Sequence, residues 1–88
     1  MKLKQGFILR QVAETWVVVP VGNAAVEFPG MINLNETGAV LWKALEQGAD
    51  RETLAAALTA EYDVSTAQAL EDVEDFLKIL TQAGCLEN

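Results

Sequence analysis

The chain has 88 residues, 51% of them apolar, and a formal charge of −7 from 13 acidic and 6 basic side chains. The apolar content excludes a disordered protein, and the length predicts one domain over residues 1–88. The acidic balance opposes binding to nucleic acid, because phosphates need Lys and Arg partners.

Three short strands are predicted before the first helix. Segments 7–12 and 15–20 are rich in β-branched and aromatic residues, and the two residues between them suit a hairpin. The second segment is apolar on both faces, as is typical of a central strand. After a loop over residues 21–28 and a Pro29-Gly30 turn, the segment 31–34 predicts a third strand.

Three capped helices are predicted to follow the strands. Asn35, Asp50 and Ser65 each stand where an N-cap residue is expected, immediately before a stretch of helical periodicity. The third helix is predicted over residues 66–83 and opens with a capping box. The order β-β-β-α-α-α places the protein in the α+β class.

Residues that carry common chemistry are missing from the sequence. It contains no histidine, no Cys-x-x-Cys pair and no phosphate-binding glycine loop. Cys85 is the single cysteine, and we expect it to be a small buried thiol. Acidic residues cluster on the third helix, where a solvated face is the ordinary interpretation. We therefore predict a protein that is not an enzyme and has no metal or other cofactor.

The cellular location is predicted from hydropathy and cysteine content. No apolar run approaches the roughly 20 residues that a membrane-spanning helix needs. The first residues lack the apolar segment of a signal peptide, and one cysteine allows no intrachain disulfide. We expect a cytoplasmic protein without membrane contact.

The third strand and third helix together suggest a binding surface. If the strands form a meander, segment 31–34 lies at an edge, and it carries none of the charge that usually protects such edges. On the third helix, the expected core-facing residues are Leu70, Val73, Leu77 and Leu80. Phe76 and Ile79 widen the apolar arc beyond that stripe, as one wall of a groove or as ordinary core. A peptide strand, another part of the chain or a second copy would cover the edge.

The ordered pattern of residues from position 30 to 86 resembles the PqqD-like family, also called RiPP recognition elements. The features that carry the resemblance are Leu34-Asn35, Ala39 to Trp42, Gly48, Leu54, Tyr62, Asp72-Val73, Phe76-Leu77, Leu80 and Gly84 to Leu86. The resemblance implies a winged helix-turn-helix-like fold, with a three-stranded antiparallel sheet followed by three helices.

The resemblance also implies a function and a site. Family members bind the leader of a ribosomally made precursor peptide as an extra strand, and present it to a modifying enzyme, often a radical S-adenosylmethionine enzyme. They have no catalytic residue of their own. Carried over to this sequence, the peptide-binding residues are Met31, Ile32, Asn33, Leu34, Asp72, Phe76 and Ile79.

One departure from the family pattern bears on the pathway. Members from pyrroloquinoline quinone synthesis often have proline after the Leu-Asn pair, where this chain has Glu36. This departure favours a modified peptide other than the precursor of pyrroloquinoline quinone.

Two other functions are compatible with the fold. The first is a winged-helix DNA-binding regulator, which the acidic third helix opposes. The second is a structural subunit held constitutively by an enzyme. An open strand edge can also pair with a second copy, so a homodimer is a further expectation.

Overall fold

A computed structural model describes residues 1–27 and 30–87, and these ranges form an antiparallel sheet followed by three long helices. A short helix follows the second strand of that sheet, and two further strands pair near the chain ends. In chain order the elements are β1 (Lys2–Leu3), β2 (Phe7–Val12), β3 (Thr15–Pro20), α1 (Asn23–Glu27), β4 (Ile32–Leu34), α2 (Glu36–Glu46), α3 (Arg51–Glu61), α4 (Thr66–Ala83) and β5 (Leu86–Glu87).

The main sheet has the order β2-β3-β4, and both pairs are antiparallel. Trp16 pairs with Leu34, and Val18 pairs with Ile32. Because side chains alternate along a strand, these residues share the face that packs against the helices, whereas Asn33 points to the other face. The predicted three-stranded antiparallel sheet and the α+β class are confirmed.

Side chains cap the three long helices where the sequence indicated. The Asn35 side chain accepts from the Gly38 N–H at 2.8 Å, that of Asp50 from the Thr53 N–H at 2.8 Å, and that of Ser65 from the Gln68 N–H at 3.1 Å. Each bond satisfies an amide that the helix itself leaves unpaired. Hydrogen bonds from Thr53 lower the pKa of the Asp50 carboxyl below its usual value. The bounds of α4 agree with the predicted range 66–83.

The core lies between the sheet and the three long helices. Its largest fully buried side chains are Trp42, Leu41, Leu45, Leu54, Leu58, Leu80, Val18 and Val73. Cys85 is buried beside them, and this burial raises the pKa of its thiol to about 11. No helix within the described ranges is long and apolar enough to cross a membrane.

The structure corrects several details of the predicted elements. Helix α1 lies where a loop was expected, and the third strand begins at Ile32 rather than Met31. The turn at residues 29 and 30 falls partly outside the described residues. The short strands β1 and β5 pair with each other and escaped prediction, because two residues show no periodicity.

Leu70 was expected in the core but is 38% exposed, while its neighbour Ala69 is fully buried. Leu70 borders a shallow cleft beside Ala55 and Ala56 of α3. Helix α4 is therefore rotated about its axis relative to the predicted orientation, so that Ala69 rather than Leu70 packs in the core.

Candidate functional site

Strand β4 lies at one edge of the main sheet. It pairs with β3 on one side, and no strand in the described part of the chain pairs with its other side. The strand carries neither charge nor proline, the features that commonly protect a sheet edge. Its unpaired backbone groups are therefore open to another extended segment.

A cleft of about 490 Å³ opens between β4, the start of α2 and the middle of α4. We call it the edge cleft. Its lining residues are Asn33, Leu34, Asn35, Thr37, Gly38, Leu41, Asp72, Asp75, Phe76 and Ile79.

The apolar part of the edge cleft has a buried floor and an exposed rim. Leu34, Leu41 and Phe76 are almost completely buried and also belong to the core. Ile79 lines the same cleft but is 47% exposed. A bound side chain could bury more of Ile79, and this would supply hydrophobic contact area that the free protein leaves in water.

The polar part of the edge cleft carries negative charge. Asp72 is half-buried and accepts a hydrogen bond from the Gln68 amide at 3.0 Å, and Asp75 is exposed. One ion pair occurs within residues 1–27 and 30–87. It links Arg51 to Glu74 and so joins α3 to α4. Neither aspartate of the cleft has a cationic partner in those ranges, so their charge is available to a ligand.

The start of α2 fixes the position of β4 in the cleft. Gly38 is buried, and a Cβ atom added there would lie 3.2 Å from the Leu34 Cβ and 3.1 Å from the Asn35 Oδ1. Asn35 is also the helix cap, and its Oδ1 accepts from the Thr37 hydroxyl at 2.9 Å. The missing side chain at Gly38 thus allows the helix to pack closely on the strand.

The structure brings most of the sequence-predicted site residues together. Those that line the edge cleft are Asn33, Leu34, Asp72, Phe76 and Ile79. Ile32 is 8% exposed and packs in the core opposite Val18, so its side chain does not line the cleft. Met31 precedes the strand and is 63% exposed.

Sequence reasoning missed other residues of the edge cleft. Asp75 lies three positions after Asp72, a spacing that places both on one helix face, and this was the signal that could have found it. Gly38 and Leu41 gave no such signal. Their place in the cleft depends on how α2 crosses β4, which the sequence pattern does not encode.

A second surface cleft lies on the other side of α2. The Lys43 ammonium sits 4.5 Å from the centre of the Trp16 ring, and Glu36 and Glu61 are among the other residues that line this cleft. This cation–π contact joins α2 to β3, and it gives Lys43 a structural role. Within the described ranges, no cluster of three or more potential metal ligands occurs.

The fold and the edge cleft define a class of protein: a small winged-helix-like α+β chain with an open strand edge beside its last long helix. The chain belongs to the PqqD family, since residues 15–86 match the family described as coenzyme PQQ synthesis protein D. None of the curated proteins compared with the chain matches it significantly in sequence.

Two solved structures share the fold over almost the whole chain. One is TbiB1 in complex with the TbiA(beta) leader peptide, with a TM-score of 0.80 and 25% identity over 100% of this chain and 96% of that one. The other is lasso peptide synthetase B1 complexed with the leader peptide, with a TM-score of 0.76 and 23% identity over 99% and 96%. Both resemblances span the complete sheet and all three long helices.

Proposed function

We propose that this protein is a non-catalytic peptide chaperone that binds the leader of a ribosomally synthesised precursor peptide. The leader adds as a strand to the free side of β4, and its side chains enter the edge cleft against α4. The site comprises Met31, Ile32, Asn33, Leu34, Asp72, Phe76 and Ile79. The observation that carries the proposal is an open, uncharged strand edge directly beside a cleft with an exposed apolar rim.

Strand addition accounts for both affinity and selectivity at such a site. Backbone hydrogen bonds between β4 and the guest form with any sequence, because every residue except proline has an N–H and a C=O. Alternate guest side chains point to the same face as Leu34 and reach α4, so the cleft reads every second residue. Membership of the PqqD family and the leader-bound TbiB1 structure support this assignment.

The chemistry of precursor modification would then belong to a separate enzyme. The sequence contains no histidine and a single cysteine, so this chain offers no Ser-His or Cys-His nucleophile–base pair. The family resemblance favours a radical S-adenosylmethionine enzyme as the recipient, and the fold shared with lasso peptide synthetase B1 supports a lasso peptide synthetase as the alternative. Isolation of the chain from its source cells, with identification of co-purifying proteins, distinguishes these recipients.

The charge of α4 favours a peptide over duplex DNA. This helix would be the reading helix of a winged-helix regulator, yet it carries Glu71, Asp72, Glu74 and Asp75 against Lys78 alone. Carboxylates at that density repel the phosphate backbone.

The direct test is an N-methyl scan of a synthetic leader, taken from a short open reading frame beside the gene. Each methyl group removes one peptide N–H donor and leaves the protein unaltered. In an added strand, only alternate N–H groups point toward β4. We therefore expect affinity, measured by fluorescence anisotropy, to fall severalfold at every second position of the docked segment. Equal losses at all positions, or none, would contradict strand addition.

Amide shifts in an ¹⁵N-labelled protein locate the same event. Addition of the synthetic leader should shift the amides of Ile32–Leu34 and of α4 between Asp72 and Ile79. The amides of β2, at the opposite edge of the sheet, are the internal control. Shifts centred on β2 would place the peptide on the wrong edge and refute the proposed site.

A homodimer that paired through the free edge of β4 would compete with the peptide. Light scattering after size-exclusion chromatography, with and without the leader, tests this. A dimer that the leader converts to a one-to-one complex indicates a shared edge. A dimer that persists indicates pairing through another surface, of which β2 is the available strand.

A further inference from the structure

We infer that the edge cleft selects a guest strand carrying a large apolar residue and a Lys or Arg two positions apart, both facing α4. This inference rests on the proposed function and specifies the class of peptide that the site accepts. It follows from two neighbouring subsites of different chemistry along α4.

The apolar subsite is formed by Phe76 and Ile79. Phe76 is 5% exposed and supplies a rigid aromatic wall, while Ile79 is 47% exposed and lines the same cleft. A large aliphatic or aromatic guest side chain would cover the exposed part of Ile79. A charged guest side chain in this position would lose water without gaining a partner.

The acidic subsite is formed by Asp72 and Asp75, one helical turn before the apolar pair. Asp72 is half-buried, and its one described side-chain contact is the neutral amide of Gln68, which leaves the negative charge unbalanced. The remainder of the chain does not compensate, because it is acidic too: the whole chain has a formal charge of −7, of which these two carboxylates contribute only −2. A Lys or Arg of the guest would find two carboxylates, whereas an Asp or Glu would be repelled.

The spacing of the two subsites matches a strand. The midpoints of the two residue pairs lie four positions apart on α4, or about 6 Å at roughly 1.5 Å per residue. Side chains at positions i and i+2 of a strand lie about 6.6 Å apart on one face. The intervening guest residue points away from α4, on the face of Asn33, and is left unselected by the cleft.

The test is a display selection of random 12-residue peptides against the full chain. Wild type is compared with the charge reversal D72K/D75K and with a matched control, E46K/E61K. The control makes the same change in net charge at two exposed residues outside the edge cleft. Circular dichroism checks that each variant is folded, and D72N/D75N replaces the reversal if that variant does not fold.

We expect wild type and the control to enrich peptides with an apolar residue and a Lys or Arg at i and i+2, at least tenfold over the starting library. The reversal should enrich Asp or Glu in place of the basic residue, and the Asn variant should lose the charge preference. Enrichment of peptides with no charge preference in wild type would overturn the inference but leave strand addition standing. Failure to enrich any peptide would overturn the proposed function, and this inference with it.

Discussion

Replacement of Ile79 by alanine is the sharpest test of the edge cleft. Ile79 lies on the rim and is half exposed. Its side chain is purely aliphatic, so truncation removes apolar contact and little else. If the leader docks between β4 and α4, it covers this side chain. Ile79→Ala should therefore weaken binding more than it weakens the fold.

The magnitude follows from the exposed fraction. Ile→Ala removes three carbon groups, each of which contributes about 0.8 kcal/mol when it is fully buried. Since 47% of the residue is exposed in the free protein, the peptide can bury about half of this, or roughly 1.2 kcal/mol. A tenfold change in affinity corresponds to about 1.4 kcal/mol, so we expect the dissociation constant to rise about sevenfold.

The assay is anisotropy of the labelled synthetic leader, with Leu70→Ala as the matched control. Leu70 is also a large aliphatic residue of α4, 38% exposed, but it faces α3 and lies outside the edge cleft. Its truncation should leave the dissociation constant within twofold of wild type. Equal losses for the two variants, or unchanged binding by folded Ile79→Ala, would refute the assignment of the leader to this cleft.

Three further predictions concern the fold around the site. Asn35→Ala removes the acceptor for the Gly38 N–H and the Thr37 hydroxyl, so the free energy of unfolding should fall by about 1 kcal/mol in urea titrations; no change would rule out the cap. Gly38→Ala gains about 1 kcal/mol of helix propensity but crowds Leu34, and overpacking of about 1–3 kcal/mol should give a net loss by the same assay. A net gain in the free energy of unfolding would show that Leu34 and β4 shift to accommodate the added methyl group. For Cys85, burial raises the pKa to about 11, so the unfolded chain ionises first, and stability should fall as pH rises from about 9 to 11. A Cys85→Ala variant should lose part of this dependence, because burial also raises the pKa of Tyr62, and an undiminished dependence would assign it to groups other than Cys85.

The helical half of the fold could be predicted because its signals are local. Asn35, Asp50 and Ser65 cap the helices through bonds to residues three positions ahead, and such short-range bonds leave a readable pattern. The end of α4 is equally local, since Gly84 adopts the left-handed conformation with φ 75°.

The sheet and the site were predictable only in part, because they depend on contacts between distant segments. The order of the three strands indicated an edge position for the segment after the Pro-Gly pair, provided that they form a meander, and the structure places β4 at an edge. The inward direction of Ile32 is set by its pairing with Val18, and the strand pair β1–β5 joins opposite ends of the chain. Asp75 was classed with the solvated carboxylates, because a helical wheel alone does not show that β4 lies opposite.

The charge at the edge cleft offers one account of how this chain can keep a strand edge open. Edges are commonly protected by charge on the strand itself, but such a charge on β4 would oppose the guest as well as a second copy. Here β4 is only three residues long and uncharged, and the carboxylates of Asp72 and Asp75 stand on the facing helix instead. Two copies that approach through this edge bring their acidic clefts together, whereas a basic peptide brings the opposite charge. The same two residues would thus oppose self-association and favour the partner, at the cost of a charge that the free protein leaves unpaired.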